Sequence, residues 1–481
     1  MTDRPPLPQD IWDKLPPEAQ AAVWVLVQSY EKRIEILEQR IAALEERVNK
    51  NSTNSSKPPS SDPPTVKRSP PMPPSGKKRG GQPGHQRRVR ALVPPEQVRH
   101  VIECKPPSCR KCGDDLHGND PEPLRHQVAE IPPFCPVVDE YRLHRLTCPQ
   151  CGLSTCASLP AGVPTGAFGP RLRAILSVLA GAYRLGKRPI RQLVSDLLGL
   201  SISIGMIARL ERQGAVELQG PVEEIREHVK AAASSHIDET SWKQGRTKMW
   251  LWVAVTSVAT IFTIASTRGA DVAKEILGTA ANKVVISDRL RSYGWIRRRQ
   301  FCWAHLRRDF QAMIDRGGES AEIGIPLMGY SDRLFEWWHR VRDGTMARST
   351  FQSHVAMMRF SVREDLRRGT QCASAKTAGT CRELLSGETH LWTFVRVEGI
   401  EPTNNDAERS LRHAVLYRKT SGGTDSESGS RFVERILTVV ATCRQQNINV
   451  LDYMTRCYQS KLDGQPAPSL VPTPTPVKLR A

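Results

Sequence analysis

The sequence predicts a multidomain α/β protein: a mixed-sheet core carrying a helical insertion, preceded by a coiled-coil helix, a zinc-binding module and a helical, helix-turn-helix-like domain. Three observations lead there. A chain of 481 residues, at roughly 150 per domain, has room for about three units. Runs of strand length rich in β-branched and aromatic residues are concentrated between residues 234 and 305, with one helical pattern among them. The N-terminal half changes texture repeatedly, from heptads to a Pro/Ser-rich basic run, to cysteine pairs, to amphipathic helices.

Charge narrows the class of partner. Lys and Arg number 69 against 50 Asp and Glu, a net charge of +19, which points to a polyanion rather than a small metabolite. The N-terminal MTDRPPLPQDIWDK lacks the basic-then-apolar pattern of an export signal, so a cytoplasmic location is expected. The most apolar stretch, 249–265, is interrupted by Thr256, Ser257, Thr260 and Thr263 and is short of the ~20 residues of a membrane span. Twelve cysteines in such a chain read as thiols or metal ligands rather than a disulfide framework.

Residues 1–50 hold the first element. Val27, Tyr30, Ile34, Leu37, Ile41, Leu44 and Val48 recur at alternating spacings of 3 and 4, an a/d seam suited to a short coiled coil and hence a homo-oligomer. An amphipathic helix docked on its own domain gives the same pattern. Residues 51–98 follow as a basic Pro/Ser-rich linker that cannot form a core. Between 51 and 100 it carries 10 Lys/Arg, including Lys77, Lys78 and Arg79, against Asp62 and Glu96. Such a segment can lie along DNA phosphates, or it can be a solvated spacer.

Residues 99–160 contain Cys109-Arg-Lys-Cys112 and Cys148-Pro-Gln-Cys151, each followed by Gly. Four thiolates in two CxxC knuckles match a structural Zn²⁺ site. The intervening 35 residues exceed the usual ribbon spacing. Residues 161–230 read as helices over 171–186, 188–200, 204–216 and 221–233. The pair around Gly199 resembles a helix-turn-helix for double-stranded DNA, although helical hairpins in cores look the same.

Residues 231–455 form the expected core. Strands are predicted over 234–240, 249–258, 259–267, 283–288 and 299–305, with a helix over 271–279. Asp238 and Asp288 would end two strands. If those strands are neighbours, both carboxylates leave one sheet edge close enough to share a divalent metal. Glu408, in PTNNDAERSLR (402–412) at the head of an amphipathic helix, is the best-placed third acid. Between them, 306–394 reads as a helical insertion. Phosphodiester cleavage or exchange needs an activated water or 3′-hydroxyl in line with the leaving oxygen. Two Mg²⁺ or Mn²⁺ ions about 4 Å apart on hard carboxylate ligands meet that need. Each acid also has a structural reading: Asp238 as a turn cap, Asp288 as the N-cap of RLRSYG, and Asn405 with Glu408 as a capping box. Residues 456–481 read as a flexible tail.

The motifs HIDETSW (236–242), SDRLRSY (287–293), FCWAHLRRDF (301–310) and PTNNDAERSLR, together with NSSKPPSSD (54–62), GGQPGH (80–85) and the paired knuckles, resemble the transposases of the insertion-sequence-66 family over nearly the whole chain. The resemblance implies an RNase H-like core with a DDE triad, Asp238, Asp288 and Glu408. It also implies metal-dependent cleavage and transfer of DNA strands at element ends, accessory proteins from the same element, and a nucleoid-associated place in the bacterial cytoplasm. Two positions depart from the family pattern: Thr403 stands where an acidic residue is usual, and Thr420 follows Arg418-Lys419 where Asn is usual. In CWAHLRR, Cys302 and His305 offer half a metal site with no partner pair following. His305, Arg307 and Arg308, with Arg409 and Arg412, more readily face substrate phosphates. The competing reading is a zinc-containing DNA-binding regulator, or an inactive remnant, whose acids do no chemistry.

Overall fold

A computed structural model describes residues 8–49, 91–132 and 136–472. Lys77, Lys78, Arg79 and the motifs at 54–62 and 80–85 lie outside them. A short helix α1 (Gln9–Trp12) leads into α2 (Pro17–Asn49), a single 33-residue helix. Trp12 packs edge-on against Trp24 at 6.0 Å and fastens the two together. Beyond that contact the heptad positions Tyr30, Ile34, Leu37, Ile41, Leu44 and Val48 all stand exposed.

From 91 to 160 no described residue is buried. Local order comes from two small knuckles. Cys148 and Cys151 sit at the tip of a hairpin formed by β1 (Arg145–Thr147) and β2 (Ser154–Cys156), while an isolated bridge between Ser108 and Asp115 closes the loop holding Cys109 and Cys112.

Four helices follow, close to the sequence reading: α3 (Pro170–Gly181), α4 (Lys187–Leu198), α5 (Ile204–Glu217) and α6 (Gln219–Ala231). Gly199 ends α4 in the left-handed conformation (φ 63°) that a residue without Cβ adopts freely, and Ser203 caps α5 by accepting the Met206 N–H at 3.1 Å. Ile207, Leu210 and Ala215 of α5 belong to the same buried cluster as the sheet residues Ile237, Leu251 and Phe262, so helices and sheet share one core.

The sheet has five strands: β3 (Ser234–Gln244), β4 (Thr247–Val255), β5 (Thr260–Ala265), then β6 (Val284–Ser287) and β7 (Arg299–Phe301) after helix α7 (Ala270–Leu277). Their order is β5-β4-β3-β6-β7, with β3, β4 and β5 antiparallel and β3, β6 and β7 parallel. The mixed sheet expected from the sequence is present. The strand read over 299–305 is shorter than expected. The Cys302 N–H still bonds the Ser287 carbonyl at 3.0 Å, but Trp303 already begins α8 (Trp303–Asp315).

The insertion continues through α9 (Gly318–Arg342), α10 (Arg348–Gly369), α11 (Ala375–Ser386), α12 (Glu388–Leu391) and α13 (Thr393–Arg396), around a second core that includes Leu306, Phe310, Phe351 and Trp392. Strand β6 divides its side chains between the two cores: Val285 joins the first, while Val284 and Ile286 join the second. The chain then returns beside its point of departure, where the Trp303 N–H donates to the Pro402 carbonyl at 3.0 Å.

Three helices close the fold: α14 (Asn405–Ser421), α15 (Glu427–Gln445) and α16 (Val450–Leu462). The segment from 456, expected to be a loose tail, is docked at least as far as Leu470. Cys457, Tyr458 and Leu470 are buried, and the Tyr458 hydroxyl reaches Ser177 of α3 at 2.9 Å. Its aromatic and thiol positions lie on one face of a capped helix, a pattern that the polar composition of the segment conceals. Among the described residues no helix is long and apolar enough to cross a membrane.

Candidate active site

The parallel pairing of β3 and β6 sets His236 opposite Ile286. Two residues further along each strand direction come Asp238 and Asp288, on the same side of the sheet because side chains alternate with period two. That is also the side on which Val284 and Ile286 meet the insertion. Asp288 lies just past the end of β6. One of its oxygens accepts the Leu290 N–H at 3.0 Å, and its carbonyl receives Arg299 at 2.7 Å. It therefore holds the chain's turn locally without capping a full helix, since only a short 3-10 turn, Arg291–Tyr293, follows.

Glu408 reaches the same place from the first turn of α14. The helix is anchored by Asn404, which is fully buried. Its side-chain amide donates to the Ile237 carbonyl at 2.7 Å, its Oδ1 meets His236 Nδ1 at 3.1 Å, and its backbone N–H points at Cys302 Sγ at 3.2 Å. One side chain thus ties β3, the base of the insertion and the start of α14 together. The capping box expected of Asn405 and Glu408 does not form. The N-cap position is Asn404, its side chain is spent on β3, and Glu408 Oε1 is buried without a hydrogen-bond partner.

Electrostatics bind the three acids into one cluster. Burial raises the Asp238 carboxyl well above the usual carboxylate range, and the charges of Glu239, Asp288 and Glu408 push the same way. Burial also raises Glu408, with Arg308 opposing and Asp288 reinforcing. Glu239, on the other face of β3, is raised by burial and by Asp288, but Tyr293 and Arg268 hold it by hydrogen bonds, with Arg268 Nε at 2.7 Å. It fixes the strand rather than facing the cluster.

Among the other predicted residues, two stand at the acids. His305 Nδ1 lies 3.6 Å from Glu408 Oε1, and an Arg308 guanidinium nitrogen lies 3.9 Å from that oxygen. Burial, helped by Arg308, lowers the His305 imidazole to about 4, so it is neutral at physiological pH. Three do not join them. Arg307 turns onto the insertion, bonding Ser331 at 3.0 Å and pairing with Asp332, because it projects from a different side of α8. Arg409 pairs with Asp406 and lines a separate cavity of about 450 Å³ with His413 and Arg444, and Arg412 is exposed on α14. Sequence reasoning missed Asn404 and Arg299. The first stood inside the motif as the opening Asn of NNDAER; the second had no local signal.

The cysteine pairs are each formed as knuckles. Cys109 and Cys148 are held below the usual thiol range chiefly by backbone N–H groups of Cys112 and Cys151 turned toward their sulfurs. The two pairs are not gathered into one four-thiolate set. Among the described residues, the one group of three metal-ligating side chains whose donor atoms lie within 4.8 Å of each other is Cys302, His305 and Glu408. The reason is physical: no buried side chain between the knuckles clamps one onto the other.

The donor chemistry at the acids fits a hard divalent cation. Asp238 and Glu408 are raised by burial and by neighbouring acids, Asp288 among them, and one Glu408 oxygen is buried with nothing to satisfy it.

A family of unknown function matches residues 3–91. An uncharacterised protein of Sinorhizobium fredii, y4qI, is 26% identical over 300 residues, 56% of this chain and 55% of that protein. A second from the same organism, y4hP, is 24% identical over 405 residues, 76% of this chain and 72% of the relative. The chain thus spans little more than half the length of the first. The model of the Transposase IS66 family matches residues 165–431, more than half the chain and both cores, and the protein therefore belongs to that family of DDE transposases.

Proposed function

We propose that this protein binds the ends of its mobile element as double-stranded DNA and catalyses metal-dependent strand cleavage and transfer, with Asp238, Asp288 and Glu408 as the DDE acids. The observation that carries this reading is the placement of Asp238 on β3 and Asp288 just past the end of its parallel neighbour β6, each two residues beyond the paired His236 and Ile286, with Glu408 in the first turn of α14. The strand order, with three antiparallel strands followed by two parallel ones, supports an RNase H-like core.

The three acids are the residues that would hold Mg²⁺ or Mn²⁺, and bound there the ions would polarise the scissile phosphodiester and the attacking water or 3′-hydroxyl. The chain's own residues do the rest. Asn404 orients the first turn of α14 so that Glu408 faces the strands. Arg308, beside Glu408, is placed to receive phosphate oxygens, while Arg299 steadies Asp288 through its carbonyl. Exposed Arg188, Arg191, Arg209 and Arg212 on α4 and α5 give the helical domain a basic outer surface for DNA. The exposed seam of α2 supports a homo-oligomer. The paired knuckles support one structural Zn²⁺ closing residues 99–160. Target DNA and accessory proteins of the element are the remaining partners.

The test is direct. Purified Asp238→Ala and Glu408→Ala proteins should still shift end DNA in low salt but should neither nick nor join it with Mg²⁺. Normal joining by both variants would refute the assignment.

A further inference from the structure

Cys302 and His305 looked in the sequence like half of a metal site with nothing to complete it. The fold supplies the missing ligand from 103 residues beyond His305 in the chain: Glu408. Cys302 precedes α8 and His305 lies on its first turn, so the CxxH spacing turns thiol and imidazole to one side. The return of the chain at Pro402 then lowers the first turn of α14 onto them.

The donor atoms of all three residues lie within 4.8 Å of one another. Two of them, His305 Nδ1 and Glu408 Oε1, are buried atoms with no hydrogen-bond partner, and they face each other across 3.6 Å. That gap is too long for a hydrogen bond. It is close to the ~3.3 Å separation of two ligands sharing a tetrahedral ion with bonds of about 2.0–2.1 Å. Leaving two buried polar atoms unsatisfied is costly unless something sits between them. The sulfur is itself buried and faces the backbone N–H groups of Asn404, His305 and Ala304. One thiolate, one imidazole and one carboxylate form a donor set that prefers a soft or borderline divalent ion over Mg²⁺.

We propose that Cys302, His305 and Glu408 form a binding site for a thiophilic divalent cation of the Zn²⁺ type, distinct from the knuckles and sharing only Glu408 with the acid cluster. Occupancy draws Glu408 toward α8 and away from Asp238 and Asp288, so the ion switches off Mg²⁺-supported strand cleavage. The switching consequence rests on the role proposed above for Glu408; the binding site does not.

Two readouts separate these claims. The full chain, stripped of metal, is titrated with Co²⁺ as a spectroscopic probe, in parallel with Cys302→Ser and His305→Ala. Both variants should bind one equivalent fewer than the parent and lose the absorption of one mixed sulfur–nitrogen–oxygen centre, while the all-sulfur signal of the knuckles persists. His305 is half-buried, so His305→Ala carries the test if the buried Cys302→Ser misfolds. Nicking of end DNA in Mg²⁺ is then measured against added Zn²⁺. Relative to its own zinc-free rate, Cys302→Ser should need at least tenfold more Zn²⁺ for half-inhibition. Equal Co²⁺ content and equal spectra in parent and variants would overturn the site. Loss of the equivalent with unchanged zinc sensitivity would overturn the switch. A parent that never nicks DNA would sink the proposed role of Glu408, and the Co²⁺ count would still decide the site.

Discussion

At the residue scale, Asp238 shows how the site opposes the fold. Burial and three neighbouring carboxylates disfavour its charge, so its folded-state value lies above that of the unfolded chain. The stability linked to this group is therefore fully present at pH below the unfolded value and is lost as pH rises through the raised folded one. Above the unfolded value, burying Asp238 is therefore a net cost to the fold. Asp238→Asn should raise the melting temperature by roughly 2–4 °C, equivalent to about 1 kcal/mol in a domain of this size, while abolishing DNA cleavage. Mg²⁺ should stabilise the parent against heat and leave Asp238→Asn unmoved. Calorimetry of both proteins with and without Mg²⁺ checks this, and a less stable Asp238→Asn would mean that the carboxylate is structurally satisfied. The acids were singled out because each stands inside a run of residues with a recognisable pattern, at a strand end or a helix head. Asn404 was not read for its role. Its bonds go to Ile237 and His236, about 170 positions away, and no local window contains them.

At the element scale, the least expected feature is the pairing of α15 with the edge strand β5. Strand β5 has one neighbour in the sheet, β4, which leaves its other row of N–H groups open. Side chains of α15 close that row. The Thr260 N–H donates to Thr442 Oγ1 at 3.1 Å, Phe262 N–H to Thr438 Oγ1 at 3.0 Å, and Ile264 N–H to Glu434 Oε1. The spacing works because four helical residues rise about 6.0 Å while two strand residues rise about 6.6–6.8 Å. Thr438→Val keeps the volume but removes the acceptor, so it should cost about 1–2 kcal/mol and increase aggregation. A denaturation midpoint unchanged from the parent would show that the helix does not protect the edge. Glu434, Thr438 and Thr442 form a polar stripe at four-residue spacing on a helix otherwise rich in Ile, Leu and Val. The stripe was visible in the sequence, but its partner strand was not. The strand over 299–305 fell short for a related reason: Cys302 continues the ladder while the next residue starts a helix, and a β-rich composition cannot mark that change.

At the scale of the whole molecule, the two ends differ in what holds them together. Residues 170–470 are built around two buried cores, whereas residues 91–160 have no buried side chain among those described. A segment of that kind must draw its order from something other than apolar burial, and metal-dependent folding is the expected source. Strong chelation should open residues 91–160 to limited proteolysis while the main melting transition of residues 170–470 stays in place. Equal protease resistance with and without chelator would remove zinc from the account. The domain order was read along the chain from the composition, which changes at each expected boundary. What the sequence did not disclose is that the helices before the sheet share its core. The behaviour of β6 carries the longest reach. Because Val284 and Ile286 lean one way and Val285 the other, the hundred-residue excursion after β7 upholsters the β6–β7 end of the sheet on the very side where the acids emerge. Miniaturising the protein by splicing 302 to 402 would strip that lining bare, so the excursion is as indispensable to the architecture as any strand.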